Sequence, residues 1–80
     1  MNSDDARLLA LVCDDDAPRG WPHTIADLAE YMDEAIPRTG QRLARLRRLG
    51  LAWRNWAGAC WEPTPAGTAR RWWNLFVDAT

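Results

Sequence analysis

The sequence has no lysine, and among its 80 residues only one serine, one histidine and two cysteines. The thiols of Cys13 and Cys60 are too few for a disulfide framework, and with His23 they have no spacing typical of a zinc site. Ser3 is better suited to capping a helix than to nucleophilic catalysis, and no glycine-rich phosphate loop is present. We therefore expect a protein that is not an enzyme and uses no metal or cofactor.

Long hydrophobic runs are also missing. No stretch approaches the roughly 18 apolar residues that a membrane span requires, so no membrane association is expected. The start, Met1-Asn2-Ser3-Asp4-Asp5, lacks the basic character of a secretion signal. These absences predict a cytoplasmic protein with reduced thiols. Its basic residues are all arginine and its alanine content is high, which is typical of GC-rich bacteria and their phages.

Charge is unevenly distributed along the chain, although the net charge is only −1. Residues 1–34 contain nine acids and two arginines, whereas residues 35–80 contain eight arginines and two acids. The first part therefore carries a charge of −7 and the second a charge of +6. This asymmetry predicts a dipolar molecule with one basic face, as docking onto a polyanion needs.

The basic half begins with an arginine-rich helix predicted at about residues 37–49. Thr39, Leu43 and Leu46 recur at helical spacing and form its apolar back. Its polar front consists mainly of Arg38, Gln41, Arg42, Arg45 and Arg48. Such a helix suits the DNA major groove. A solvated helix face is the alternative interpretation, although solvated faces usually mix both signs of charge.

Local signals place the other elements. Ser3 is expected to cap a first helix and Thr24 a second, while Pro37 suits the first turn of the third and Gly50 its left-handed end. Aromatic residues around Ala57-Gly58 predict a β-hairpin, and Thr64 is expected to cap a last helix.

This order resembles that of winged helix-turn-helix transcription regulators, of the multiple-antibiotic-resistance type or a related prokaryotic or phage group. The run Leu46-Arg47-Arg48-Leu49-Gly50-Leu51-Ala52-Trp53-Arg54 resembles the end of their recognition helix and their first wing strand. Glu62-Pro63-Thr64-Pro65-Ala66-Gly67 resembles their turn into the next helix. The resemblance covers roughly residues 6–78. It implies one domain over residues 1–80 of α+β, mainly α, class, a winged helix with a three-helix core, a short β-hairpin wing and a C-terminal helix.

The resemblance also implies sequence-specific binding of double-stranded DNA by a transcriptional regulator, with the helix at about residues 37–49 in the major groove. The residues predicted to contact DNA through their side chains are Arg38, Gln41, Arg42, Arg45, Arg48 and Arg54. Near Thr24, the backbone amides at the start of the second helix are predicted to hold a phosphate. Arg42→Ala is accordingly predicted to weaken DNA binding. The short wing offers only Arg54 as a cation, which departs from the family pattern.

Tryptophan is abundant, and most of the six rings are expected in the core or against the hairpin. Trp72, Trp73 and Phe76 exceed what one small core needs, so they are predicted to form an interface with a second copy or another protein. A homodimer is expected. The alternative function is a winged-helix protein-interaction module, for example a phage accessory protein that inhibits a host protein. A DNA-modifying enzyme is a third hypothesis, but it lacks residues for the chemistry.

Overall fold

A computed structural model describes residues 1–13, 24–55 and 60–79, excluding the side chains of Asp78 and Ala79. These residues form a mainly helical α+β fold with four helices and one two-stranded antiparallel sheet. In chain order the elements are α1 (Ser3–Val12), α2 (Ile25–Met32), α3 (Ile36–Arg48), β1 (Ala52–Asn55), β2 (Cys60–Pro63) and α4 (Pro65–Ala79).

Side-chain caps begin the first two helices. The Thr24 hydroxyl accepts a hydrogen bond from the Asp27 amide at 3.2 Å, which confirms the predicted cap of α2. The prediction for α1 was wrong by one residue, because the Asn2 side chain accepts from the Asp5 amide at 2.8 Å. Ser3 instead becomes the first helical residue, since an asparagine oxygen caps a helix as well as a serine hydroxyl does.

A tight turn connects α2 to α3. Asp33 adopts a left-handed conformation with a φ of 53°, and the Glu34 amide donates to the Ala29 carbonyl at 3.1 Å. Pro37 lies in the first turn of α3, as predicted. At the other end Gly50 has a φ of 73°, and the Leu51 amide donates to the Leu46 carbonyl at 2.9 Å, which confirms Gly50 as the left-handed cap.

The core lies between the first three helices and the start of the hairpin. Its fully buried leucines are Leu8, Leu9, Leu28, Leu43 and Leu46. Thr39 is buried with them, so the predicted apolar side of α3 is confirmed.

Thr64 fixes the start of α4 to the end of α3. Its hydroxyl accepts from the Gly67 amide at 3.0 Å and donates to the Gly50 carbonyl at 2.5 Å, so the predicted cap also bridges two elements. Gly67 is buried against the Leu51 backbone, where a β-carbon would overlap the carbonyl group. α4 therefore approaches the chain at Leu51 more closely than any other residue type would permit.

The two described tryptophans of the hairpin differ in burial. Trp61 is half-buried and packs against the core, but Trp53 is 46% exposed on the hairpin. Cys60 is buried, as expected of a small core residue. The predicted features within residues 14–23, including His23, and the hairpin tip at residues 56–59 lie outside the described residues.

Candidate functional site

The arginines of α3 divide between two sides of the helix. On one side Arg42 and Arg45 meet carboxylates from other elements, and we call the group Asp4, Asp5, Glu34, Arg42 and Arg45 the ion-pair cluster. On the other side arginines border an open groove between α3 and the hairpin. Arg45 belongs to both sides, because it pairs with Asp5 and also lines the groove.

Arg42 is the centre of the ion-pair cluster. Its Nε donates to Glu34 at 3.1 Å, its Nη1 to Asp5 at 3.2 Å and its Nη2 to Asp4 at 3.4 Å. The side chains of Arg42 and Asp5 are each only 9% exposed. Glu34 also accepts a hydrogen bond from the buried Thr39 hydroxyl at 3.0 Å. Three donors of one guanidinium thus join α1, the α2–α3 turn and α3.

The cluster shifts the pKa of two of its members. Burial alone would raise the pKa of Asp5, but hydrogen bonds from Arg45 and Arg42 outweigh burial and lower this pKa from its usual 3.8. Burial likewise opposes the charged form of Arg42, yet its hydrogen bonds to Asp5 and Glu34 raise the pKa of this guanidinium. Asp5 and Arg42 therefore stabilise each other as ions.

The groove on the other side has a volume of about 780 Å³. We call it the arginine groove, and its described lining consists of Gly40, Gln41, Ala44, Arg45, Arg47, Arg48, Arg54 and Trp61. Four of these residues are arginines and none is an acid. The described lining of this groove is therefore rich in arginine and contributes no carboxylate of its own, although Arg45 is paired with Asp5 behind it.

The hairpin register brings two residues to the groove together. Arg54 lies opposite Trp61 in the antiparallel pairing, and side chains at opposed positions lie on the same face of a sheet. Trp61 packs partly against the core, and Arg54 is half-buried. Arg54 is therefore positioned beside the Trp61 ring in the groove between the hairpin and α3.

The predicted DNA-contacting residues lie in different environments. Gln41 and Arg48 are exposed in the arginine groove, and Arg54 joins them from β1. Arg38 is exposed outside this lining, with 71% of its side chain accessible and only a long 3.9 Å ion pair to Glu34. Thr24 caps α2, where its hydroxyl is occupied by the Asp27 amide.

Arg42 corrects the sequence-based assignment. It was placed on the polar front of α3, but it is 7% exposed and is held by three carboxylates. Arg45 is an intermediate case, because its side chain is 44% exposed while Nε and Nη2 both donate to Asp5 at 3.1 Å. Glu34, in the turn between α2 and α3, belongs to the same cluster, and its side chain is only 14% exposed.

Arg47 and Trp61 belong to the site but are absent from the residues predicted to contact DNA. Arg47 lines the groove because the hairpin packs along that flank of α3. Trp61 was assigned to packing alone. The pairing of Arg54 with Trp61 in a short hairpin was the available signal, but it needs the strand register.

A second surface lies on α4, where a row of large apolar side chains is exposed. Trp72, Trp73 and Phe76 are 62%, 57% and 63% exposed, so the predicted surplus is located at the surface. Trp73 and Phe76 stack with ring centroids 6.0 Å apart. We call these three residues, with the exposed Leu75 and Val77, the α4 aromatic face.

Comparison of the chain with protein-family models, curated proteins and solved structures finds no match. Among the described residues, no helix has the length and apolar character needed to cross a bilayer.

Proposed function

We propose that this chain binds double-stranded DNA as a winged helix-turn-helix protein, probing the major groove with α3 and the adjacent backbone with the β1–β2 hairpin. The order of three helices, hairpin and helix supports this architecture. The tight turn between α2 and α3 and the hairpin directly after α3 support it as well.

The observation that carries the proposal is the arginine groove. Four guanidinium groups border one concave surface whose described lining contains no carboxylate. Arginine recognises phosphate and the guanine O6 and N7 acceptors with the same planar donor geometry. A duplex is the polyanion that presents both kinds of acceptor beside each other, and an α-helix fits its major groove.

The polar residues of the groove have different proposed roles. Gln41 and Arg48 are exposed on α3, where glutamine would read adenine N6 and N7 and arginine would read guanine. Arg47 and Arg54, on the flank toward the hairpin, would contact phosphates. Arg45 would contribute through its exposed portion, while Asp5 holds two of its nitrogens.

The test is a fluorescence-anisotropy titration of a labelled random-sequence duplex pool at low salt, followed by selection of bound duplexes. Arg48→Ala is expected to cost about 1–3 kcal/mol of binding free energy on a selected site if Arg48 reads a base. Arg7→Ala is the matched control, since it removes the same charge from an exposed position on α1 outside the groove. Absence of binding to any duplex at low salt would contradict the proposal.

A protein-interaction module is the second candidate function, and the α4 aromatic face is the observation that favours it. Exposed apolar surfaces of this kind commonly mark protein contacts. If this were the primary function, the wild-type chain would bind no duplex. Arg47→Ala and Arg48→Ala would then leave binding to the protein partner intact, whereas Trp72→Ala would remove it. The titration above therefore separates the two hypotheses.

A further inference from the structure

α4 directs its polar side toward the molecule and its apolar side toward solvent. Gly67 is buried, and Arg71 and Asn74 are half-buried, where α4 packs on α1 and β2. The five residues of the α4 aromatic face are all exposed. Surface helices of isolated domains normally have the opposite arrangement, with the apolar stripe toward the core. A face of this composition is typical of a surface that another macromolecule covers.

We propose that the α4 aromatic face packs against the same face of a second copy, with the two α4 helices antiparallel about a two-fold axis. This proposal is independent of DNA binding, because the arginine groove and the α4 aromatic face share no residue. The proposal specifies which molecule covers the α4 aromatic face, whereas the exposure of the side chains shows only that the face is uncovered in one copy.

The exposed area is close to what a pair of identical faces needs. The three aromatic side chains are about 60% exposed, which corresponds to roughly 350 Å² at about 200 Å² per ring. Leu75 and Val77, each nearly half exposed, add roughly 50 Å² apiece. Two copies would together bury at most about 900 Å² through α4 alone, just below the roughly 1,000 Å² typical of the smallest specific interfaces.

Charge favours a second copy and an antiparallel orientation. The α4 aromatic face contains no ionisable residue, so an identical apolar face is complementary to it. If Trp73 of one copy lies against Phe76 of the other, antiparallel helices place Arg70 opposite Ala79, the last residue of the other α4. The end of a helix carries the negative pole of its dipole, so Arg70 is stabilised there. A parallel pair would instead bring the two Arg70 side chains together.

Sedimentation equilibrium over a range of protein concentrations tests the pairing. We expect wild type to shift from the monomer mass to twice that mass, and Phe76→Glu to weaken dimerisation about 30-fold or more. The control Trp53→Glu adds the same charge at another exposed ring, on β1, and should leave the dimerisation constant unchanged. Far-UV circular dichroism checks that both variants keep the helical fold. A wild-type chain that stays monomeric, or a Trp53→Glu effect equal to that of Phe76→Glu, would overturn the proposal.

Arg70→Glu tests the orientation. In the antiparallel pair it places an acid at the negative end of the opposite helix and should weaken dimerisation about threefold or more at low salt. In a parallel pair it replaces one pair of like charges by another, so an unchanged constant would refute the antiparallel arrangement.

Discussion

At the scale of single residues, Arg42 and Arg48 lie on the same helix and meet opposite surroundings. Arg42 is 7% exposed and donates to three carboxylates from α1 and the α2–α3 turn. Arg48 is exposed in a groove whose described charged residues are all arginines. Because a buried ion pair loses its compensation when one partner is removed, the two arginines should respond differently to truncation.

We expect Arg42→Ala to reduce the melting temperature by on the order of 10 °C or more, since it leaves Glu34 without its closest guanidinium partner and leaves the buried Asp5 paired with Arg45 alone. Arg48→Ala should leave the melting temperature within about 2 °C of wild type, because exposed substitutions rarely change stability. Thermal unfolding followed by circular dichroism measures both. Equal melting temperatures for the two variants would show that the ion-pair cluster is not a structural element.

Asp5 should make stability depend on pH in the acid range. Its folded pKa is lowered, so its contribution is fully present above its unfolded pKa, near 3.8, and is lost as the pH falls through the lower folded value. Urea unfolding of wild type between about pH 5 and pH 2 should therefore show a steep loss of stability. Asp5→Asn should be less stable at neutral pH and lose less on acidification. The same pH slope in both proteins would contradict the assignment.

The burial of Arg42 could not be predicted from the helical pattern alone. The position lies at the border between the apolar back, marked by Leu43 and Leu46, and the exposed front. Its environment is decided by Asp5, 37 residues earlier in the chain, and sequence periodicity contains no information about that contact. The excess of acids in residues 1–34 predicted only a dipolar molecule and did not indicate that Arg42 and Arg45 would pair with these acids.

At the scale of helices and strands, most boundaries that a local signal determines were predicted, although the cap of α1 is Asn2 rather than Ser3. Thr24, Pro37, Gly50 and Thr64 each act within a few residues of their own position, at the ends of helices where they were expected. The orientation of α4 is different, because its apolar residues cover too wide an arc to indicate which side faces the core. Gly67 helps to decide it, since α4 can approach Leu51 closely only on that side.

Two glycine substitutions should separate close packing from helix propensity. Gly67→Ala should destabilise the protein by about 1–3 kcal/mol or more, because the added methyl group overlaps the Leu51 backbone. Gly40→Ala is the matched control within α3, where the new β-carbon meets only the end of the Ile25 side chain at 3.2 Å. Alanine has a higher helix propensity than glycine, worth up to about 1 kcal/mol, so Gly40→Ala should be neutral or stabilising. Urea unfolding gives both values, and similar losses in the two variants would disprove the close approach of α4.

At the scale of the whole molecule, the two halves of the chain meet in the ion-pair cluster. Three acids from residues 1–34 bind Arg42 and Arg45, which attaches α3 to the rest of the fold. On the flank of α3 toward the hairpin, the described lining of the arginine groove contains four arginines and no acid. Fewer α3 arginines point outward than the sequence suggested.

DNA affinity should consequently depend strongly on salt, because phosphate contacts release counterions. With three or four phosphates neutralised, the logarithm of the association constant should fall with the logarithm of salt concentration with a slope of about −3. Arg47→Ala should make this slope shallower by about one, whereas Arg7→Ala should not alter it. Anisotropy titrations at several salt concentrations provide the slopes, and a wild-type slope near zero would be incompatible with groove binding.

The division of the α3 arginines is tested most directly by NMR, through the arginine Nε–H signals during titration with a selected duplex. We predict that the signals of Arg47, Arg48 and Arg54 shift as DNA is added, because their side chains line the arginine groove. The Arg42 signal should stay in place, because its Nε already donates to Glu34 at 3.1 Å. A shift of Arg42 with no change at Arg47, Arg48 and Arg54 would contradict the account.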